Sequence, residues 1–312
     1  MITPPAEISV TVPFSQAIDR VKQVLFQPFD LGKWFIIGFC AWLAQLGEQG
    51  FSFNFPSGNS SRRGGGGAGE GLEQARDFAV QNLWWIVPLI LTLICVVIGL
   101  WLVFTWLSSR GKFMFLHCVA LNRAEVSAPW SQFSRQGNSL FLFRIVLGLI
   151  SFLVTLPFLA LAALAVFSMV RHEAATVFGV LVLIALVLGL ILVAIVFFLV
   201  GKFTMDFVVP VMFLRGNSCL ESWKEFLGLL RANPGHFLLY LLFQLVLAIA
   251  IGAILLAIIL VTCCLAGCVM AIPYLGTVLL LPVFVFSRSY SLHYFAQYGR
   301  QYDVFPPVTV SA

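Results

Sequence analysis

The chain has 312 residues, of which 61% are hydrophobic and 10% are charged, and its formal net charge is +5. Soluble globular domains are about half apolar and about a quarter charged, and the mean hydropathy here is +1.01. This composition excludes a water-soluble protein and predicts an integral membrane protein. Because the basic residues border apolar runs, the expected partners are membrane lipids, anionic ones in particular, and not nucleic acid.

Six apolar runs are candidate membrane spans, since about 20 apolar residues cross the hydrocarbon core of a bilayer. They cover roughly 31–47, 83–107, 140–170, 174–201, 236–262 and 268–287. The predicted fold class is therefore an all-α integral membrane protein with six transmembrane helices in one membrane domain over 1–312. The first run is the shortest and contains Gln45, so a re-entrant helix is the alternative at that position.

The distribution of Lys and Arg predicts the orientation. With six spans, 14 of the 18 basic residues fall on the side of the two termini and 4 on the other side. The positive-inside rule then places both termini in the cytoplasm. The longest external segment is a Gly-rich loop at about 48–82, which we expect to be flexible, and residues 300–312 form a C-terminal tail.

A repeated pattern precedes the odd-numbered spans. Each time, apolar residues at helical spacing are followed by a break and then by a membrane hairpin, which predicts a cytoplasmic interfacial amphipathic helix before each hairpin. The breaks read "QPFD", "QGN" and "NPG", and the modules cover about 14–122, 128–213 and 219–299. The apolar stripe before the third hairpin consists of Leu220, Trp223, Leu227 and Leu230. Such helices lie flat on lipid or cap the bundle, and the sequence leaves both options open.

With the pattern of "WKEFLGLLRANPGHFLLYLLF" repeated three times, the chain resembles poorly characterised bacterial six-span membrane proteins, among them the membrane domain attached to some glycerophosphoryl diester phosphodiesterases. The resemblance is one of pattern and covers nearly the whole chain. It implies a multi-pass protein of the bacterial inner (cytoplasmic) membrane. The soluble phosphodiesterase domain of the fused relatives is absent here, so the resemblance does not carry that activity over.

A belt of polar residues follows the second, fourth and sixth spans. The tripeptide Gly-Lys-Phe occurs at 111–113 and again at 201–203, and Arg288 stands in the corresponding place of the third module. Each cation is followed by a titratable group, which gives the candidate headgroup or anion contacts Lys112, His117, Lys202, Asp206, Arg288 and His293. Lys202 and Asp206 are four residues apart on a helix and are predicted to pair. Cations that only anchor helix ends at the interface are the other interpretation.

No motif of membrane catalysis, metal binding or cofactor binding is recognisable, and "CCLAGC" at 263–268 matches no usual zinc spacing. The leading functional hypothesis is a non-enzymatic, lipid-associated structural or accessory subunit of a membrane protein complex. The alternative is a small transporter or lipid-moving protein with a cytoplasmic-side anion or headgroup site. That alternative predicts one polar cavity lined by Lys112, Lys202 and Arg288, and cations far apart on the lipid-facing perimeter would exclude it.

Overall fold

A computed structural model describes residues 8–46, 82–171, 177–262, 267, 269–270 and 272–305, and within these ranges the regular secondary structure is helical. The predicted all-α, membrane-like architecture is confirmed. The external loop at 48–82, apart from residue 82, and "CCLAGC", apart from residue 267, lie outside the described residues.

The helices follow one another in chain order with short breaks. Helix α1 spans Val12–Val21 and continues as a π-helical turn over Lys22–Phe26, and α2 spans Leu31–Gln45. Next come α3 (Leu83–Leu121), α4 (Ser127–Gln132), α5 (Ser134–Arg171) and α6 (Val177–Phe203). A second π-helical turn, Thr204–Val208, is called the π turn below and joins α6 to α7 (Val209–Arg215). The last helices are α8 (Cys219–Ala232), α9 (Pro234–Val261), α10 (Pro273–Leu279) and α11 (Leu281–Ala296), followed by a 3-10 turn at Arg300–Tyr302.

Four continuous helices in the described part of the chain are long and apolar enough to cross a membrane: Trp84–Leu121, Ser134–Met169, Phe178–Arg215 and Pro234–Val261. The pair Pro273–Leu279 and Leu281–Ala296 adds a fifth if it is counted as one span, but it is bent by 62°. The predicted count of six is not confirmed, because α2 has only 15 residues. At 1.5 Å per residue it is about 22 Å long, less than the hydrocarbon thickness of about 30 Å.

Helix α2 packs against the last third of α3. The Lys33 Nζ donates to the Asn122 Oδ1 at 2.8 Å, and near the other end of α2 the Ser108 hydroxyl donates to the carbonyl of Ala44 at 2.7 Å. A Cβ added to Gly111 would lie 2.7 Å from backbone atoms of α2. This close approach of two backbones is the reason why glycine occupies position 111.

Local interactions explain where several of the helices begin and end. Ser218 and Glu221 form a capping box that starts α8, and α8 ends at Ala232, two residues before the proline that starts α9. The predicted break at "QGN" is wrong: α5 runs through 136–138. The interruption lies at Phe133 instead, and Gly137 packs inside α5 against Arg110.

The buried core lies at one end of the bundle, called here the basic end because Arg110, Lys112, Arg144, Lys202 and Arg288 lie there. In each of the four long spans, the most apolar 18-residue stretch contains no buried residue, as expected where lipid is the solvent. Aromatic side chains dominate the core around the π turn, including Phe203, Phe207, Phe226, Phe237, Tyr240, Tyr290, Tyr294 and Phe295.

Helix α8 faces this core with a stripe shifted from the predicted one. Cys219, Ser222 and Phe226 are buried, whereas Leu220 is 65% exposed. The shift arises because Phe226 stacks on Phe207 of the π turn, with ring centroids 5.2 Å apart.

Candidate functional site

Three cations converge on one cavity at the basic end. The cavity, called here the central cavity, has a volume of about 160 Å³ and lies between α2, α3, the end of α6 with the π turn, and α11. Its charged lining consists of Lys112, Lys202, Asp206 and Arg288. The structure therefore brings together four of the six predicted site residues, and the perimeter arrangement that would exclude the transport hypothesis is not observed.

Lys112 is held by the contact between α2 and α3. Its neighbour Gly111 abuts the backbone at Leu43 and Ala44, which fixes the lysine on the cavity wall. The residue is 8% exposed, and its Nζ lies 2.8 Å from the Met205 Sδ. A lysine so deeply buried is not a snorkelling side chain, since snorkelling requires the ammonium group to reach water.

Lys202 and Asp206 form the predicted ion pair, with the Nζ 2.9 Å from the Oδ2. The Tyr240 hydroxyl donates to the same carboxylate oxygen at 2.9 Å, and it accepts a hydrogen bond from the Gln244 Nε2 at 2.8 Å. Burying a charged side chain is costly unless it is paired and hydrogen-bonded, and both conditions are met here. This four-residue chain of polar groups holds the one carboxylate that the described residues contribute to the cavity lining.

The side chain of Arg288 supplies a hydrogen bond that the backbone of Pro210 cannot donate. In the π turn, the Val209 N–H bonds to the carbonyl of Thr204, five residues back. In the same register the carbonyl of Met205 would face position 210, where Pro210 has no N–H. The Arg288 Nη1 donates to that carbonyl, so the bond links α11 to the π turn. Single π turns inside α-helices often occur at functional sites.

The two predicted histidines do not line the central cavity. His117 is buried between aromatic rings, with Phe133 and Phe213 at centroid distances of 6.2 and 6.4 Å. His293 stacks on Phe305 with a centroid distance of 4.2 Å. The spacing along the helix explains this result, because a residue five positions after a cation is rotated to another face.

A second cavity lies between α5 and α6 and is called here the α5–α6 groove. Its volume is about 650 Å³, and it shares Lys202, Met205 and Asp206 with the central cavity. Arg144 lies in its wall, where the Nη1 donates to the hydroxyls of Ser108 and Ser109 at 3.2 and 3.4 Å. The π turn is thus a common wall of the two cavities.

Sequence reasoning missed Met205, Tyr240 and Gln244. Gln244 could have been identified from the sequence, because it is a polar residue inside the apolar run 236–262. Pro210 is the signal for Met205, since a proline in a helix leaves an upstream carbonyl without its donor. Nothing in the sequence around Tyr240 points to Asp206, which is 34 positions away.

Within the described ranges, no group of three or more His, Cys, Asp or Glu side chains could hold a metal ion. The buried thiols of Cys40 and Cys118 lie 3.9 Å apart and are free. Both pack in the α2–α3 contact, where they serve as small apolar side chains.

Comparisons with known proteins place the chain in a family without assigning an activity. No curated protein and no solved structure matches it, and the resemblance to the membrane domain of glycerophosphoryl diester phosphodiesterases stays a prediction. One family model matches residues 10–297, which is most of the chain. The chain therefore belongs to DUF7544, a family of unknown function.

Proposed function

We propose that this protein binds a phosphate-type anion, as a lipid headgroup or in free form, in the central cavity, and that it acts as a small transporter or lipid-moving protein. The observation that carries the proposal is the convergence of Lys112, Lys202 and Arg288, one from each predicted module, on a single cavity. The leading hypothesis from the sequence, a non-enzymatic accessory subunit of a membrane complex, is compatible with such a site but does not require it.

The charge balance of the lining favours an anion. Three cationic side chains and one carboxylate face a space with low-dielectric walls, where like charges repel strongly. An anionic ligand would reduce that repulsion and would gain charge-assisted hydrogen bonds from Lys and Arg. The volume of about 160 Å³ is below the roughly 300–1,000 Å³ of sites that enclose a drug-sized ligand, so the cavity suits a headgroup-sized anion.

For the topology, we propose six crossings in three modules, with both termini in the cytoplasm of a bacterial cell and the protein in the inner membrane. The described residues offer one support for the first crossing. The Arg20 guanidinium bonds to carbonyls of Val119 and Ala120 near the end of α3, which places the N-terminal region at the basic end. Residue 82 lies at the opposite end of this 39-residue helix, so the chain passes from one end to the other between these points.

The same topology leaves the roles of three helices, α1, α2 and α8, to be assigned. Helix α2 ends near Ser108, which is about 37 Å along α3 from its first residue at 1.5 Å per residue. On this proposal α2 contributes only part of the first crossing. The interfacial role of α1 and α8 also remains part of the proposal, because α8 packs on the core and leaves Leu220 exposed.

The test is a binding measurement on the purified protein in a non-ionic detergent. Phosphatidylglycerol, zwitterionic phosphatidylcholine and inorganic phosphate are titrated separately, and bound ligand is counted by native mass spectrometry. The variants are Lys112→Met and Arg288→Gln, the latter because glutamine still offers N–H donors to the carbonyl of Met205. The controls are Lys224→Met and Arg231→Gln, which remove the same charges from exposed positions on α8.

We expect one tightly held anion per chain, with phosphatidylcholine bound at least tenfold more weakly. Each cavity variant should weaken anion binding at least tenfold, and each control should change it less than twofold. Binding of phosphatidylglycerol but not of inorganic phosphate identifies the headgroup as the source. The proposal fails if the cavity variants and the controls behave alike, since generic attraction to basic surface residues would then account for the binding.

A further inference from the structure

The α5–α6 groove is closed at one level of the hairpin and open at another. Away from the basic end, a Cβ added to Gly189 of α6 would lie 2.7 Å from the ring of Phe158 on α5, so the two helices are in tight contact there. Nearer the basic end, a Cβ on Gly148 or on Gly201 would meet no atom within 4 Å. Both glycines line the groove, so the space between the helices opens toward the basic end.

The walls of the groove are apolar along its length and charged at one end. Phe143, Leu147, Phe197 and Phe198 form much of the apolar lining. At the basic end the lining includes Arg144, Lys202 and Asp206, so two cations and one carboxylate leave a net positive charge there. The groove also lies within two helices that are long and apolar enough to cross a membrane, so its surroundings are lipid and not water.

Size and charge together select one kind of occupant. A volume of about 650 Å³ falls within the roughly 300–1,000 Å³ of sites that hold a small organic ligand, and it is four times that of the central cavity. The charged end of this apolar channel carries two cations and one carboxylate. Its net positive charge makes the channel complementary to an amphiphile with one anionic end. A water-soluble anion would use the charged end and leave the apolar walls unfilled.

We propose that the α5–α6 groove holds an acyl chain of an anionic phospholipid, with the phosphate between Arg144 and Lys202. The inference rests on the proposed function for the identity of the headgroup, and it names the substrate class as a lipid taken from the bilayer. Lys202, Met205 and Asp206 form the wall between the groove and the central cavity. The groove is therefore the route by which a headgroup reaches the three converging cations.

The experiment fills the groove with leucine side chains and leaves its charged residues unchanged. Gly148→Leu and Gly201→Leu each place a side chain in open space within the groove. Gly99→Leu on α3 and Gly252→Leu on α9 are matched controls, because a Cβ at either position also meets nothing within 4 Å. Binding of long-chain phosphatidylglycerol and of short-chain dihexanoyl phosphatidylglycerol is measured for the unaltered full-length protein and for these four glycine variants. The same two lipids are measured with the variants Lys112→Met and Arg288→Gln.

The expected result is a loss that depends on chain length. The groove variants should weaken long-chain phosphatidylglycerol at least tenfold and change the short-chain lipid less than twofold, while the two controls leave both affinities unchanged. If the groove variants bind the long-chain lipid normally and the cation variants do not, the groove inference is overturned and the proposed function stands. If neither set of variants changes the binding of either lipid, both are overturned.

Discussion

Replacing Tyr240 by Phe tests whether the carboxylate in the central cavity is held by a hydrogen-bonded chain. The substitution removes a hydroxyl that donates to the Asp206 Oδ2 at 2.9 Å and accepts from the Gln244 Nε2 at 2.8 Å, and it leaves the ring in place. A hydrogen bond to a charged group contributes about 1.5–3 kcal/mol, and a neutral one about 1 kcal/mol. The Gln244 Nε2 loses its acceptor, but the Gln244 Oε1 still accepts from the Lys202 Nζ at 3.5 Å, which holds the side chain in place. We therefore expect a loss of about 2–3 kcal/mol.

Tyr290→Phe is the matched control for this prediction. Tyr290 is equally buried, its ring stacks on that of Tyr240 with a centroid distance of 5.8 Å, and its hydroxyl donates to the neutral carbonyl of Val10 at 3.1 Å. The expected loss is therefore about 1 kcal/mol. The free energy of unfolding of each variant is measured by titrating the micelle-solubilised protein with SDS and following its tryptophan fluorescence.

A double-mutant cycle separates the carboxylate from the rest of the environment. In an Asp206→Asn background the acceptor is neutral, so the cost of Tyr240→Phe should fall to that of Tyr290→Phe, with a coupling free energy of about 1 kcal/mol or more. Equal losses for Tyr240→Phe and Tyr290→Phe in the unaltered chain would refute the reasoning. A coupling of zero between positions 206 and 240 would refute it as well.

Three further predictions concern single residues outside that chain. Gly111→Ala should destabilise the protein by about 1–3 kcal/mol because the added Cβ meets the backbone of α2, whereas Gly201→Ala, which meets nothing within 4 Å, should be neutral or stabilising in the same SDS titration. Hydrogen bonds from Ser218 lower the pKa of Glu221. The ionised Glu221 therefore stabilises the folded protein above the unfolded pKa, and this stabilisation is lost as the pH falls through the folded pKa. Thermal melts at pH 3–7 should show a pH dependence that Glu221→Gln removes. Burial raises the pKa of the Cys219 thiol to about 12, so maleimide at pH 8 should leave Cys219 unlabelled until SDS unfolds the chain.

The repeated Gly-Lys-Phe shows how much of the site could be predicted from the sequence. Both lysines line the central cavity and both phenylalanines are buried, in keeping with their equivalent places in the modules. The two glycines differ, since Gly111 abuts a backbone and Gly201 faces open space. Periodicity and charge predict where a residue lies along a helix, but the neighbour that it meets depends on tertiary packing.

The same limit applies to the fold. Long apolar runs predicted six spans, and four of them are continuous helices long and apolar enough to cross a membrane, because composition and length suffice for a helix surrounded by lipid. They did not predict that α2 packs on the last third of α3, or that α10 and α11 meet at 62°. Those features depend on contacts between distant segments, such as the hydrogen bond from the Trp34 Nε1 to the carbonyl of Val278 at 3.0 Å.

The π turn connects the stability of the basic end to its proposed ligand. Pro210 makes an upstream carbonyl available, and the guanidinium of Arg288 occupies it. The same residue, Met205, presents its sulfur to Lys112, while the next residue, Asp206, pairs with Lys202. All three cations of the central cavity are thus oriented by two consecutive residues, which also form its wall with the α5–α6 groove. A ligand that draws any one of these cations toward it acts on the π turn, so occupation of the groove and of the central cavity should be coupled through this turn.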